Sequence, residues 1–134
     1  PVSCAIGMAV MDVIEKEDLM NRARVLGERF KTGLNSLMKD HEIIGDVRGR
    51  GLFLGIEMVK DRSTLEPASM RASEIVSAMR DQGVLLSTDG PLHNVIKIKP
   101  PMVLNEEDVD QTLIKLEASL ADLHPYSNYG SVLE

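Results

Sequence analysis

Between Asp40 and Ile43 the hydrophobic period of this chain changes, and that change constrains the fold more than any other feature. Upstream, Leu19, Ala23, Leu26, Phe30, Leu34 and Leu37 recur at steps of three and four for about five turns, which predicts one amphipathic helix. Cys4, Met8, Met11 and Ile14 keep the same period, with Ala5 and Ala9 beside them, and predict an earlier helix. The charged stretch from Glu15 to Asp18 marks the break between the two. Downstream, Ile43-Ile44-Gly45-Asp46-Val47-Arg48 and Leu52-Phe53-Leu54-Gly55-Ile56-Glu57-Met58-Val59 are rich in β-branched and aliphatic residues. Gly49-Arg50-Gly51 separates them, which predicts two strands joined by a tight connection. Helices with an apolar stripe beside strands of this kind must pack on a sheet.

The remaining segments extend this pattern. Lys60 to Thr64 reads as a polar turn. Glu66-Pro67 is expected to open a third helix, because proline at the first helical position gives up a donor that has no partner there. Ala68, Ala72, Ile75, Val76 and Met79 supply that helix with its stripe, and Gly83 ends it. Val84-Leu85-Leu86 reads as a short buried strand, followed by turn chemistry from Ser87 to Pro91. Val95-Ile96-Lys97-Ile98-Lys99 alternates with period two until Pro100-Pro101 stops it. Asn105 is placed to cap a last helix, with Glu106, Glu107 and Asp108 in its positive first turn. Val109, Leu113, Leu116, Leu120 and Leu123 form its stripe. The order α-α-β-β-α-β-β-α predicts an α/β fold of the α+β kind: a small mixed, largely antiparallel sheet covered by helices. Gly27 and Gly33 inside the second helix point to close packing against another element, or are tolerated defects that each cost about 1 kcal/mol. The expected divisions are a leading helix (1–16), a compact domain (17–123) and a flexible tail (124–134).

Composition narrows the function classes. Only Phe30, Phe53, Tyr126 and Tyr129 are aromatic, so aliphatic residues must build the core, with the eight methionines filling gaps. Fifteen Lys and Arg against 21 Asp and Glu give a net charge of −6, which argues against a nucleic-acid binder. The single cysteine, Cys4, excludes an intrachain disulfide and a cysteine zinc cage. It lies on the apolar face of the first helix and reads as a small buried hydrophobe. No apolar run approaches the ~18 residues of a membrane span, and no signal-peptide layout is present. A cytoplasmic protein with no membrane partner is expected.

Two basic clusters stand out. In Gly45-Asp46-Val47-Arg48-Gly49-Arg50-Gly51 the glycines allow a close backbone approach, and two arginines could fork onto a phosphate or carboxylate. The spacing matches neither a Walker loop nor G-x-G-x-x-G, and a glycine-rich hairpin with solvated arginines is the simpler account of it. Lys97 and Lys99 share one strand face, where they would meet an anion or water. His41, His93 and His124 lack the spacing of a metal site. The residues alone define a soluble acidic domain with a candidate anion site.

Three longer strings occur in order: Pro1-Val2-Ser3-Cys4-Ala5-Ile6-Gly7, then Ile44-Gly45-Asp46-Val47-Arg48-Gly49-Arg50-Gly51-Leu52-Phe53-Leu54-Gly55-Ile56-Glu57, then Lys97-Ile98-Lys99-Pro100-Pro101-Met102. Together they resemble the carboxy-terminal part of class III pyridoxal-phosphate aminotransferases, over nearly the whole chain to about Leu123. The resemblance implies the C-terminal small domain of a fold-type I enzyme, preceded by a helix leading from a large domain. It implies a homodimer acting on a small-molecule amine. Pyridoxal phosphate would be bound by the longer enzyme, whose Schiff-base lysine lies upstream. The fragment alone is then expected to bind no cofactor and to be inactive, with no catalytic, cofactor or metal residue of its own. The apolar face of residues 4 to 14 would be left exposed and is expected to pair between copies. Where typical relatives carry an arginine that grips the substrate α-carboxylate, this chain has Lys97, a point charge. The stretch from Leu85 to Met102 is more similar to the ethanolamine-phosphate and phosphohydroxylysine phospho-lyase branch. Lys97 is accordingly expected to bind the anionic end of the substrate, and the reaction to be elimination of phosphate from a phosphorylated amine. The alternatives are an ordinary class III transaminase and a free-standing, non-catalytic binding or dimerisation module.

Overall fold

The computed structural model describes residues 1–123. The expected flexible tail and His124 lie outside the described residues. Among those described, four helices and five short strands follow one another as α1 (Val2–Lys16), α2 (Leu19–Asp40), β1 (Ile44–Arg50), β2 (Phe53–Asp61), β3 (Glu66–Pro67), α3 (Ser69–Asp81), β4 (Ser87–Asp89), β5 (Val95–Ile98) and α4 (Glu106–Ala121). The sheet runs in the order β1-β2-β5-β4, with β3 added to the end of β2. Every described pairing is antiparallel.

Alternation along the strands gives the sheet two unlike faces. Val47, Leu54, Ile56, Met58, Ile96 and Ile98 point inward and are buried. They meet Leu26, Phe30, Leu34 and Leu37 of α2, Ala72, Ile75 and Met79 of α3, and Val109, Leu116 and Leu120 of α4. Three helices therefore cover one face, and the other carries the residues of opposite parity, polar for the most part. Arg29 of α2 locks the helical layer from outside: its Nε and Nη2 donate to the two carboxylate oxygens of Asp110 at 2.8 and 2.7 Å. That forked hydrogen bond holds the Asp110 carboxyl below its ordinary range. Arg62 fastens the end of α2, donating to the carbonyls of Met38, His41 and Ile44.

Two helix termini follow their predicted chemistry. Asn105 Oδ1 accepts from Asp108 N–H at 2.8 Å and Asp108 Oδ2 accepts from Asn105 N–H at 3.1 Å, a reciprocal capping box. Asn105→Ala is expected to cost about 1 kcal/mol, read as a lower thermal midpoint. Gly83 follows α3 at φ +82°, a left-handed conformation natural to glycine.

The close packing expected of Gly27 and Gly33 is present. A Cβ on Gly27 would lie 2.3 Å from the Gly51 carbonyl oxygen, so the hairpin turn between β1 and β2 sits backbone to backbone on α2. A Cβ on Gly33 would lie 2.3 Å from Leu113 Cδ1 of α4.

Several local expectations are corrected. Glu66-Pro67 does not open a helix. It pairs with Asp61 and Val59 as an edge strand, where proline's missing donor is tolerated, and α3 starts at Ser69. Val84-Leu85-Leu86 forms no strand, and Leu85 is 83% exposed; the strand is Ser87–Asp89, three residues of the segment read as a turn. Cys4 is exposed, and α1 buries no residue at all, because nothing in the described residues covers its apolar side. Met58 and Met79 fill the core as expected, whereas Met8, Met11, Met20 and Met70 are exposed. Among the described residues no helix is long and apolar enough to cross a membrane.

Candidate functional site

The uncovered face of the sheet gathers the charged residues singled out in the sequence. Register sets Arg48 of β1 opposite Gly55 of β2, and Gly55 opposite Lys97 of β5, so Arg48 and Lys97 flank a position without a side chain. Over Gly55 lies a cavity of about 420 Å³, walled by Arg48, Phe53, Val95 and Lys97 and closed at one end by Asp89-Gly90. A Cβ at Gly55 would come within 3.1 Å of Val95 Cγ1, so any larger residue narrows this space. Two residues along β1, Arg50 stands opposite Phe53, and Lys99 follows directly after Ile98, the last residue of β5.

The two cationic levels differ in their partners. Lys97 Nζ donates to Asp89 Oδ2 at 2.8 Å, and Asp89 Oδ1 accepts from Gly90 N–H at 2.8 Å. The hydrogen bond from the Lys97 ammonium, with the Gly90 amide, holds the Asp89 carboxyl below its ordinary range. Both side chains are partly solvated, so screening leaves the pair little stabilising force, and its effect is to aim the ammonium. A lysine has three donors, which leaves two for another anion. Arg48 donates to Asp46 at 2.8 Å and also to Glu57, and these two carboxylates raise its already high pKa. No such partner is found at Arg50 or Lys99 among the described residues.

Alternation correctly put Lys97 on the open face of β5, and Lys99 lies just beyond that strand, which ends at Ile98. The sequence missed Asp89, which was read as part of a turn, and the opening over Gly55. Gly49 has φ +135°, and a Cβ there would sit 2.2 Å from the Phe53 carbonyl oxygen, so it is required for the chain to pack on itself. His41 follows the end of α2, and His93 occupies an exposed turn at φ +51°. Among the described residues no three His, Cys, Asp or Glu side chains gather as metal ligands.

Among the described residues no buried side-chain nitrogen or oxygen lacks a hydrogen-bond partner, so none stands waiting for a cofactor phosphate. The lysine facing the Gly55 cavity is engaged by Asp89.

A helix-backed antiparallel sheet with one charged open face is the mixed α/β small-domain architecture of the fold-type I aminotransferases. The Aminotransferase class-III family model matches residues 1–120, and the chain belongs to that family. It is 44% identical to the ethanolamine-phosphate phospho-lyase homolog 1 of Caenorhabditis elegans over 90% of this chain and 26% of the relative. It is 50% identical to the alanine–glyoxylate aminotransferase 2-like protein of Drosophila melanogaster over 85% of this chain and 23% of the relative. A solved phospholyase from Arthrobacter, in complex with phosphoethanolamine, superposes with a TM-score of 0.88 at 40% identity, covering 92% of this chain and 29% of that one. An amine transaminase from an uncultivated Pseudomonas species, in its PLP-bound internal-aldimine form, superposes with a TM-score of 0.81 at 33% identity, over 90% and 27%. The chain thus spans about a quarter of the length of the curated relatives it matches.

Proposed function

We propose that this chain is the small-domain portion, residues 17–123 with the leading helix 1–16, of a homodimeric class III enzyme that eliminates phosphate from a phosphorylated amine. The single observation that carries the reading is Lys97, a lysine on the open face where typical transaminases of the family use an arginine for the α-carboxylate. A phosphorylated amine such as phosphoethanolamine has no α-carboxylate, so the loss of a bidentate fork is chemically coherent. Similarity to both a phospho-lyase homolog and a phospholyase in complex with phosphoethanolamine supports the same branch. Transaminases are also among the relatives, and ordinary transamination is the second reading.

In this reading Lys97 binds the anionic end of the substrate with the two donors that Asp89 leaves free, and Asp89 fixes the direction from which they approach. The cavity over Gly55 admits the substrate's short carbon body. Pyridoxal phosphate, the cofactor of the family, supplies an electron sink for a carbanion when bound, and its lysine anchor lies outside these residues. The chain by itself should be inactive.

Incubating the whole enzyme with phosphoethanolamine and measuring its products tests the proposal. Release of phosphate and ammonia in equal amounts is the expected result. Formation of a new amino acid from an added 2-oxo acid, without phosphate release, would establish transamination instead.

A further inference from the structure

Beside the Gly55 cavity, and sharing Phe53 with it as a wall, lies a larger one of about 690 Å³ between α2, the β1–β2 turn and the segment after β5. This volume lies in the range of small-molecule sites. Its rim carries Arg24 from α2, Arg50 from the end of β1 and Lys99 from just beyond β5, against a single carboxylate, Glu28. The rim therefore has a formal surplus of two positive charges, in a protein whose net charge is −6.

The charges on this rim are uncommitted, unlike those of Arg48 and Lys97. The side chains of Arg50 and Lys99 make no hydrogen bond or ion pair among the described residues. Arg24 Nη2 donates to Asn21 Oδ1 at 2.8 Å, which orients the guanidinium and leaves four of its five donors. The geometry is not accidental to a mobile tip, because the turn bearing Arg50 rests on α2 through the Gly27–Gly51 backbone contact. The floor is apolar: buried Leu52, with Phe53, Met102 and Pro100.

We propose that Arg24, Arg50 and Lys99 form a binding site for a phosphate monoester dianion with an apolar body, separate from Lys97. Two guanidinium forks match the tetrahedral array of phosphate oxygens, and a surplus of two charges matches a dianion better than a carboxylate. Phe53, 60% exposed, offers a face to the ligand's apolar part.

The test uses phenyl phosphate and acetate as probes, titrated calorimetrically into the whole polypeptide carrying Lys97→Gln, so that binding at Lys97 does not contribute. Phenyl phosphate is expected to bind saturably and at least ~10-fold more tightly than acetate. Adding Arg50→Gln and Lys99→Gln, both on exposed side chains, should weaken it by at least ~10-fold with the thermal midpoint unchanged, and Arg24→Gln alone should weaken it severalfold. Acylation of Lys99 should slow when phenyl phosphate is present. Absence of saturable binding, equal affinity for acetate, or an unchanged affinity in the Arg50→Gln, Lys99→Gln protein would overturn the proposal. So would a Lys99 that resists acylation without ligand, since polypeptide would then fill the cavity. None of these readouts depends on turnover of phosphoethanolamine, so this site and the proposed function stand or fall separately.

Discussion

Gly27→Ala is expected to destabilise the domain by about 2 kcal/mol, lowering the thermal midpoint by roughly 5–10 °C. The sign is not obvious from local preference, since alanine in a helix interior gains about 1 kcal/mol over glycine. The added methyl, however, would stand 2.3 Å from the Gly51 carbonyl oxygen and 2.4 Å from its carbon, atoms of a backbone turn that cannot rotate away. Either α2 or the β1–β2 hairpin must move, and Phe30 and Leu54 on the two elements lose their fit in the core. Gly33→Ala is the internal control. The three atoms nearest its new methyl all belong to the side chain of Leu113, which can change rotamer, so its stability should remain within about 1 kcal/mol of the parent. Equal midpoints for the two variants would refute this account of how the hairpin is seated.

The largest expected effect on activity comes from Lys97→Ala in the whole enzyme. Removing one charge-assisted contact to a substrate anion costs about 2 kcal/mol, which is roughly 30-fold in kcat/KM for phosphoethanolamine. The substitution should leave folding intact, because the lysine side chain is about one-third exposed and bonded only to Asp89. A kcat/KM within twofold of the parent would remove Lys97 from the substrate contacts.

Much of this was legible from local pattern. The stripe of α2, the strands on either side of the turn, the cap at Asn105 and the open-face position of Lys97 all follow from spacing or from a side chain acting within four residues. Where pairing is non-local, the pattern misled. Val84-Leu85-Leu86 has strand-like composition, but β5 offers its hydrogen bonds to Ser87–Asp89 instead. Pro67 fits a first helical turn as well as an edge strand, and only the position of Val59 decides between them. The periodicity of α1 identifies an apolar side without saying what covers it. Asp89 was hidden for the same reason: its bond to Lys97 crosses between strands, and its turn-like neighbours gave no sign of it. The division of the four cations into a level with carboxylate partners and a level without depends on where Asp46, Glu57 and Asp89 fall, which is a matter of register.

The most direct test of the central claim, that Lys97 reads the charge of the substrate, is Lys97→Arg in the whole enzyme. The quantity to measure is kcat/KM for phosphoethanolamine divided by that for an α-amino acid donor. Restoring a forked cation should favour the α-carboxylate and lower the ratio by at least ~10-fold with the thermal midpoint unchanged. An unchanged ratio in a stably folded variant would contradict the assignment of Lys97 to the substrate.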